Sequence, residues 1–155
     1  MIRVYRITKV RYKTDLSGNG AAIAGGRWNR KGLPALYTAE NSSLSVLEIL
    51  AHCDRLSDLT GRIIQEFEIP DDSVEEIDTT KLSPDWRAVP WINETVEKGS
   101  LWLEGMRTLS LKVPSVINSK ESNYVINPRH PRMREVTLVS EEVLNVDRRI
   151  FRNLK

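Results

Sequence analysis

Apolar and charged residues alternate over residues 2–7, with Ile2, Val4 and Arg6 on one side and Arg3, Tyr5 and Ile7 on the other, a pattern of β-formers that predicts a strand. Residues 17–34 hold five of the chain's 8 glycines, which suits a closely folded surface loop better than a regular element. "ALYTA" (35–39) predicts a short buried strand. Asn41, Ser42 and Ser43 are N-cap candidates for a helix over "LSVLEILAH" (44–52). At about 100° per residue, the apolar members Leu44, Val46, Leu47, Ile49, Leu50 and Ala51 cover most of that helix, so it is expected to be largely buried. Ser45, Glu48 and His52 share the remaining arc, as neighbours three and four apart do.

Further on, "RIIQEFEIP" (62–70) alternates as a strand ended by Pro70, and "DDSVEEIDTT" (71–80) reads as an acidic turn into a short extended piece. "LSPDWRAVPW" (82–91) is irregular. "INETVEKGSLWLEGM" (92–106) predicts one or two short helices broken near Gly99 and Gly105. Strands follow in "TLSLKVPSVI", closed by Pro114, in "SNYVINPRHP", which ends in a turn, and in "REVTLVS" (134–140), before a charged tail with Asp147, Arg148 and Arg149. There is no regular βαβ alternation, which favours an α+β fold: a mixed strand core with a few helices. No repeat or linker interrupts it, and 155 residues suit one domain over 1–155.

Lys and Arg number 23 against 21 Asp and Glu, a net charge of +2 that is too balanced for the broad basic surface of a nonspecific nucleic-acid binder. The single cysteine, Cys53, can form neither an internal disulfide nor a thiolate cluster, which points to a reducing compartment. No apolar run approaches a membrane span, and the alternating start is unlike a signal peptide, so a cytoplasmic, non-membrane protein is expected.

In "GGRWNRKG" (25–32) the glycines let the backbone approach a ligand, and Arg27 offers forked donors for phosphate or carboxylate oxygens. The same residues also make a plain glycine turn with solvated Arg27, Arg30 and Lys31. Tyr37 can stack on a flat heterocycle or simply fill the core. Glu48 needs a partner or a polar cleft to stay charged on an apolar helix; an i,i+4 pair with His52 would also satisfy it. Ser115, Asn127 and His130 stand beside prolines, which fix backbone direction, and each reads equally as turn chemistry. Two histidines and one cysteine without HExxH-like spacing argue against a metal centre, and Ser115 lacks the G-x-S-x-G elbow of a hydrolase.

Taken together, "YRI", "GGRWNRKG", "LYTAE", "SVLEIL", "LKVPSV" and "NYVINPRHP" resemble the RES-domain family, named for its Arg, Glu and Ser, and the likeness runs almost end to end. The resemblance implies a fold similar to ADP-ribosyltransferase toxins, and a toxin whose cognate antitoxin carries an Xre-type helix-turn-helix domain. It implies self-association within such a complex and leaves DNA contact to the antitoxin. The reaction it implies is NAD degradation by cleavage of the nicotinamide–ribose bond, as glycohydrolase or phosphorylase, without a metal. Transfer of ADP-ribose to a protein is the alternative, and an inactive antitoxin-binding module a further one. Carried over by position, Glu48, Arg27, Tyr37 and Ser115 form the catalytic set, and Arg6, Arg27, Tyr37, Ser115 and Asn127 bind NAD.

Overall fold

The protein is described by a computed structural model over residues 1–152. Seven strands form one sheet: β1 (Ile2–Lys9), β2 (Leu36–Ala39), β3 (Arg62–Ile69), β4 (Val74–Glu76), β5 (Ser110–Pro114), β6 (Ser122–Ile126) and β7 (Thr137–Val143). Their order is β4-β5-β6-β2-β1-β3-β7, antiparallel throughout except for the parallel β4–β5 pair. Three α-helices accompany them, α1 (Asn19–Ala24), α2 (Ser42–Leu50) and α3 (Asn93–Gly105), giving the α+β architecture that the pattern predicts.

Strand alternation sorts the core. In β3, Ile63, Gln65, Phe67 and Ile69 are buried and their neighbours only partly so. In β6, Tyr124 and Ile126 join Val4, Leu36, Phe67, Ile69 and Leu109 in one apolar cluster. Val125, facing the opposite way, joins Leu111 and Val113 of β5, Trp102 and Leu103 of α3, and Trp28 and Ala35 in the other. Both faces of the sheet are thus covered, each buried aliphatic or aromatic side chain contributing about 1.5–3 kcal/mol over an exposed one.

Three expectations change. Residues 17–34 are not only loop: Asn19–Ala24 close a short helix, and in the turn after it Trp28 and Asn29 are buried, because Trp28 plugs the cluster under α3. α3 runs unbroken through Gly99, whose missing side chain admits the turn: a Cβ there would stand 2.0 Å from the Trp28 carbonyl oxygen. α2 starts where expected, with the Asn41 side chain accepting from the Leu44 amide at 2.8 Å, but is less buried than its composition suggests. Leu47 is 43 % exposed, while Ser45 is buried. Leu44 and Ser45 are the buried pair of this helix, Glu48 is half-buried and His52 is exposed.

The reason lies in the middle of the sheet. β1 pairs with β3 along its whole length, from Ile2↔Ile69 to Lys9↔Arg62, whereas β1 and β2 meet in register only at Tyr5↔Ala39. Beyond that pair the two strands part, and α2 packs across both of them. A slot therefore opens beneath the helix.

Candidate active site

The slot is a cavity of about 470 Å3. Its walls come from Tyr5, Arg6 and Ile7 of β1, Tyr37, Thr38 and Ala39 of β2, the Gly25–Trp28 turn, Ser45, Glu48 and Ile49 of α2, and Asn123 of β6. Val89, Trp91, Val116 and Ile117 add apolar surface, and Val89, Trp91 and Ile117 are themselves exposed. The volume falls in the range of small-molecule sites, which combine apolar walls with a few convergent polar groups.

Glu48 projects from α2 into this space, half-buried. Its Oε1 accepts two hydrogen bonds, from Asn123 Nδ2 at 2.7 Å and from Ser115 Oγ at 3.1 Å. These satisfy one oxygen of a carboxylate that would otherwise be costly to bury, and they fix the side chain. His52 does not take the carboxylate; its Nδ1 lies 2.8 Å from the Glu48 backbone carbonyl. The i,i+4 side-chain pair that the sequence allowed is absent.

Arg27 reaches the same cavity from the turn. Its Nη1 donates to the carbonyls of Trp86 (2.8 Å) and Ala88 (3.0 Å), tying down the segment that leads to Val89 and Trp91. Burial pulls the guanidinium pKa down, and the nearby Glu48 carboxylate pushes it back up. Even lowered, so strong a base stays cationic. Arg30, in contrast, pairs with Glu104, and Lys31 is exposed.

Tyr37 lines the cavity, and its hydroxyl reaches the turn. The hydroxyl accepts from the Trp28 amide at 3.0 Å and donates to Asn29 Oδ1 at 2.7 Å. Desolvation holds the phenol well above its ordinary pKa, so it stays neutral. Asn29 in turn donates from Nδ2 to the carbonyls of Ala21 and Leu33 at 2.8 and 3.0 Å. Gly26 is required here: a Cβ would sit 2.7 Å from both Asn29 Oδ1 and the Tyr37 hydroxyl.

The other residues singled out from the sequence divide. Arg6 lines the cavity, but its guanidinium is committed to Gln65 Oε1 and to the Lys13 and Asp15 carbonyls, so it braces the 13–15 segment and contributes charge. Ser115 is fully buried behind Glu48: besides its donation there, Oγ accepts from the amides of Ile117 and Asn118 at 3.1 Å each, which fills the capacity of a hydroxyl. It holds the carboxylate and is not a lining residue. Asn127 is not brought to the cavity: its Nδ2 donates to the Leu103 carbonyl at 2.9 Å and its Oδ1 accepts from the Arg129 amide, a structural brace between β6 and α3. His130 caps a 3-10 turn by accepting from the Arg132 amide.

Two residues escaped sequence reasoning. Asn29 is nearly fully buried and anchors the turn, and Asn123 is bonded to Glu48. The available signal for Asn123 was an amide set in the otherwise apolar strand "NYVI", on the same side as Val125. Among the described residues no group of three or more His, Cys, Asp or Glu side chains is placed to hold a metal ion, and no helix is long and apolar enough to cross a membrane.

Residues 3–147 match the model of the RES domain. The chain belongs to the RES domain family. A "Toxin Res" of Photorhabdus laumondii is 38 % identical over 126 residues, covering 81 % of each chain. The "Prs ADP-ribosylating toxin" of a Sphingobium species is 40 % identical over 120 residues, covering 76 % of this chain and 74 % of that one. The same fold is seen in the solved Mycobacterium tuberculosis MbcT–MbcA toxin–antitoxin complex, one chain of which superposes with a TM-score of 0.77 at 20 % identity over 99 % of this chain and 88 % of that one. In this RES domain Arg27 and Glu48 face one cavity, and Ser115 stands behind Glu48.

Proposed function

We infer that this chain is the toxin of a toxin–antitoxin pair and that it consumes NAD by breaking the bond between nicotinamide and ribose. One observation supports the reading: a carboxylate fixed by two donors shares one cavity with an arginine and a tyrosine. Departure of nicotinamide leaves an oxocarbenium-like ribose, and a fixed carboxylate beside it stabilises the developing positive charge. Glu48 takes that role. Arg27 binds the pyrophosphate, with Arg6 adding positive potential from behind, and the Tyr37 ring stacks on the pyridine. Ser115 positions Glu48.

Nicotinamide leaves as a neutral base from a cationic pyridinium, so no strong general acid is required. With water as acceptor, NAD gives ADP-ribose, nicotinamide and a proton; with inorganic phosphate, ADP-ribose 1″-phosphate and nicotinamide. A protein acceptor is the second reading, favoured by the Sphingobium relative named as an ADP-ribosylating toxin. The toxin names of the relatives support an antitoxin partner, to which we assign an Xre-type helix-turn-helix domain and any DNA contact. Self-association within that complex and a cytoplasmic site of action belong to the same reading.

Purified chain incubated with NAD, with and without phosphate, and analysed by mass tests this directly. Free nicotinamide with ADP-ribose or its phosphorylated form supports the reading and names the acceptor. Nicotinamide release no faster than that of a Glu48→Ala variant refutes it.

A further inference from the structure

Among the described residues, one buried side-chain polar atom has no hydrogen-bond partner, and its residue lines the active-site cavity: Asn123 Oδ1. The side chain is well placed. Asn123 sits on β6 between Ala39 of β2 and Val113 of β5 in the sheet register, so backbone ladders on both sides fix its Cα. The orientation of its amide is set by chemistry, since a carboxylate only accepts; the NH2 must face Glu48 Oε1, 2.7 Å away, which turns the carbonyl oxygen elsewhere. An acceptor hidden from solvent and unmatched by protein costs free energy, and such atoms are rare in native folds. Because the residue lines the cavity, a small turn of its side chain brings Oδ1 to a donor on a ligand held there.

We propose that Asn123 Oδ1 accepts a hydrogen bond from the nicotinamide-riboside half of NAD and makes Asn123 a specificity-determining residue. This rests on the NAD reading above. The two ends of the Asn123 amide are close together, so whatever meets Oδ1 lies beside the Glu48 carboxylate. With Glu48 at the ribose carbon that loses its pyridine, the nearest donors are the 2′-hydroxyl of that ribose and the NH2 of the carboxamide. Adenine and its ribose lie beyond the pyrophosphate. Asn123 thus serves twice, orienting Glu48 through Nδ2 and reading the ligand through Oδ1.

Two analogues separate the donors: 3-acetylpyridine adenine dinucleotide, which lacks the carboxamide N–H, and NAD carrying a 2′-deoxyribose next to nicotinamide. kcat/KM for NAD and both analogues is compared between wild type and Asn123→Ala. Displacement of Glu48 weakens the reaction with NAD and analogue alike, so the ratio isolates the Oδ1 contact. Asn123→Ala should lower the NAD-to-analogue ratio for one analogue by about tenfold or more relative to wild type, the loss of one hydrogen bond to a buried acceptor. The analogue concerned identifies the donor. The same ratios measured for Asn123→Ser give a second reading should the alanine variant fold poorly. NAD consumed, but with both ratios equal in wild type and variants, overturns this inference alone; no binding or consumption of NAD by the wild type overturns the NAD reading as well.

Discussion

The Gly99 Cα of α3 faces the Trp28 carbonyl at a distance that only hydrogen permits, with an added Cβ falling 2.0 Å from that oxygen. Through this contact a helix with no side chain in the cavity sets the position of the turn that bears Arg27.

Gly99→Ala should therefore destabilise the protein. In a free helix the exchange would gain about 1 kcal/mol, but overpacking against backbone typically costs about 1–3 kcal/mol or more and reverses the sign. A lower unfolding midpoint in urea, with a weaker apparent affinity for NAD, is the expected result; a stabilised variant would show that the turn gives way easily.

Tyr37→Phe should cost about 1–3 kcal/mol, because it strands the Trp28 amide and Asn29 Oδ1 in a buried site. Its pH signature is specific. Burial raises the folded-state pKa of Tyr37 above the ordinary 10.0, so its contribution is complete below pH 10 and is lost as pH rises through that value toward the higher folded-state one. Stability of the wild type should fall above pH 10 with a slope that includes up to about 1.4 kcal/mol per pH unit from this group. Urea unfolding at stepped alkaline pH should show a shallower decline in Tyr37→Phe.

Ser115→Ala removes one of the two donors to Glu48 Oε1 and the acceptor of the Ile117 and Asn118 amides, although Ser115 itself does not line the cavity. kcat for NAD cleavage should drop about tenfold with KM little changed, the pattern of a lost interaction specific to the transition state. A raised KM at constant kcat would instead mark Ser115 as a ligand contact.

Much of this was legible in the pattern. All seven strands fall within or beside the alternating or apolar stretches, because period-2 burial is written locally. Arg27, Tyr37 and Glu48 were recoverable from their motifs. Asn127 and Asn123 were not separable by sequence: both are amides on or next to one strand, and only the register, Ala39↔Asn123, decides which reaches the slot. The unbroken run of α3 through Gly99 was hidden for a similar reason. Its glycine answers to a residue 71 positions away, which no local propensity encodes.

Arg27→Ala and Arg27→Lys should differ from a simple loss of charge. Each removes the paired donation to the Trp86 and Ala88 carbonyls, so the amides of those residues, now bonded to Ser83 and Asp85, should exchange faster with deuterium. Lysine keeps the charge but not the fork, and should recover little of the NAD affinity lost in the alanine variant. Wild-type exchange rates in both variants would confine Arg27 to the ligand.

The lone Tyr5↔Ala39 register pair has a mechanical meaning. α2 lies over both strands that diverge there, so the beam carrying the carboxylate spans the joint between two plates of sheet. Any spreading of the plates to admit a bulky guest also displaces the beam. Entry width and reactive geometry are thereby one degree of freedom, and a substitution that props the joint open should be felt at Glu48 even when it touches neither the guest nor the acid.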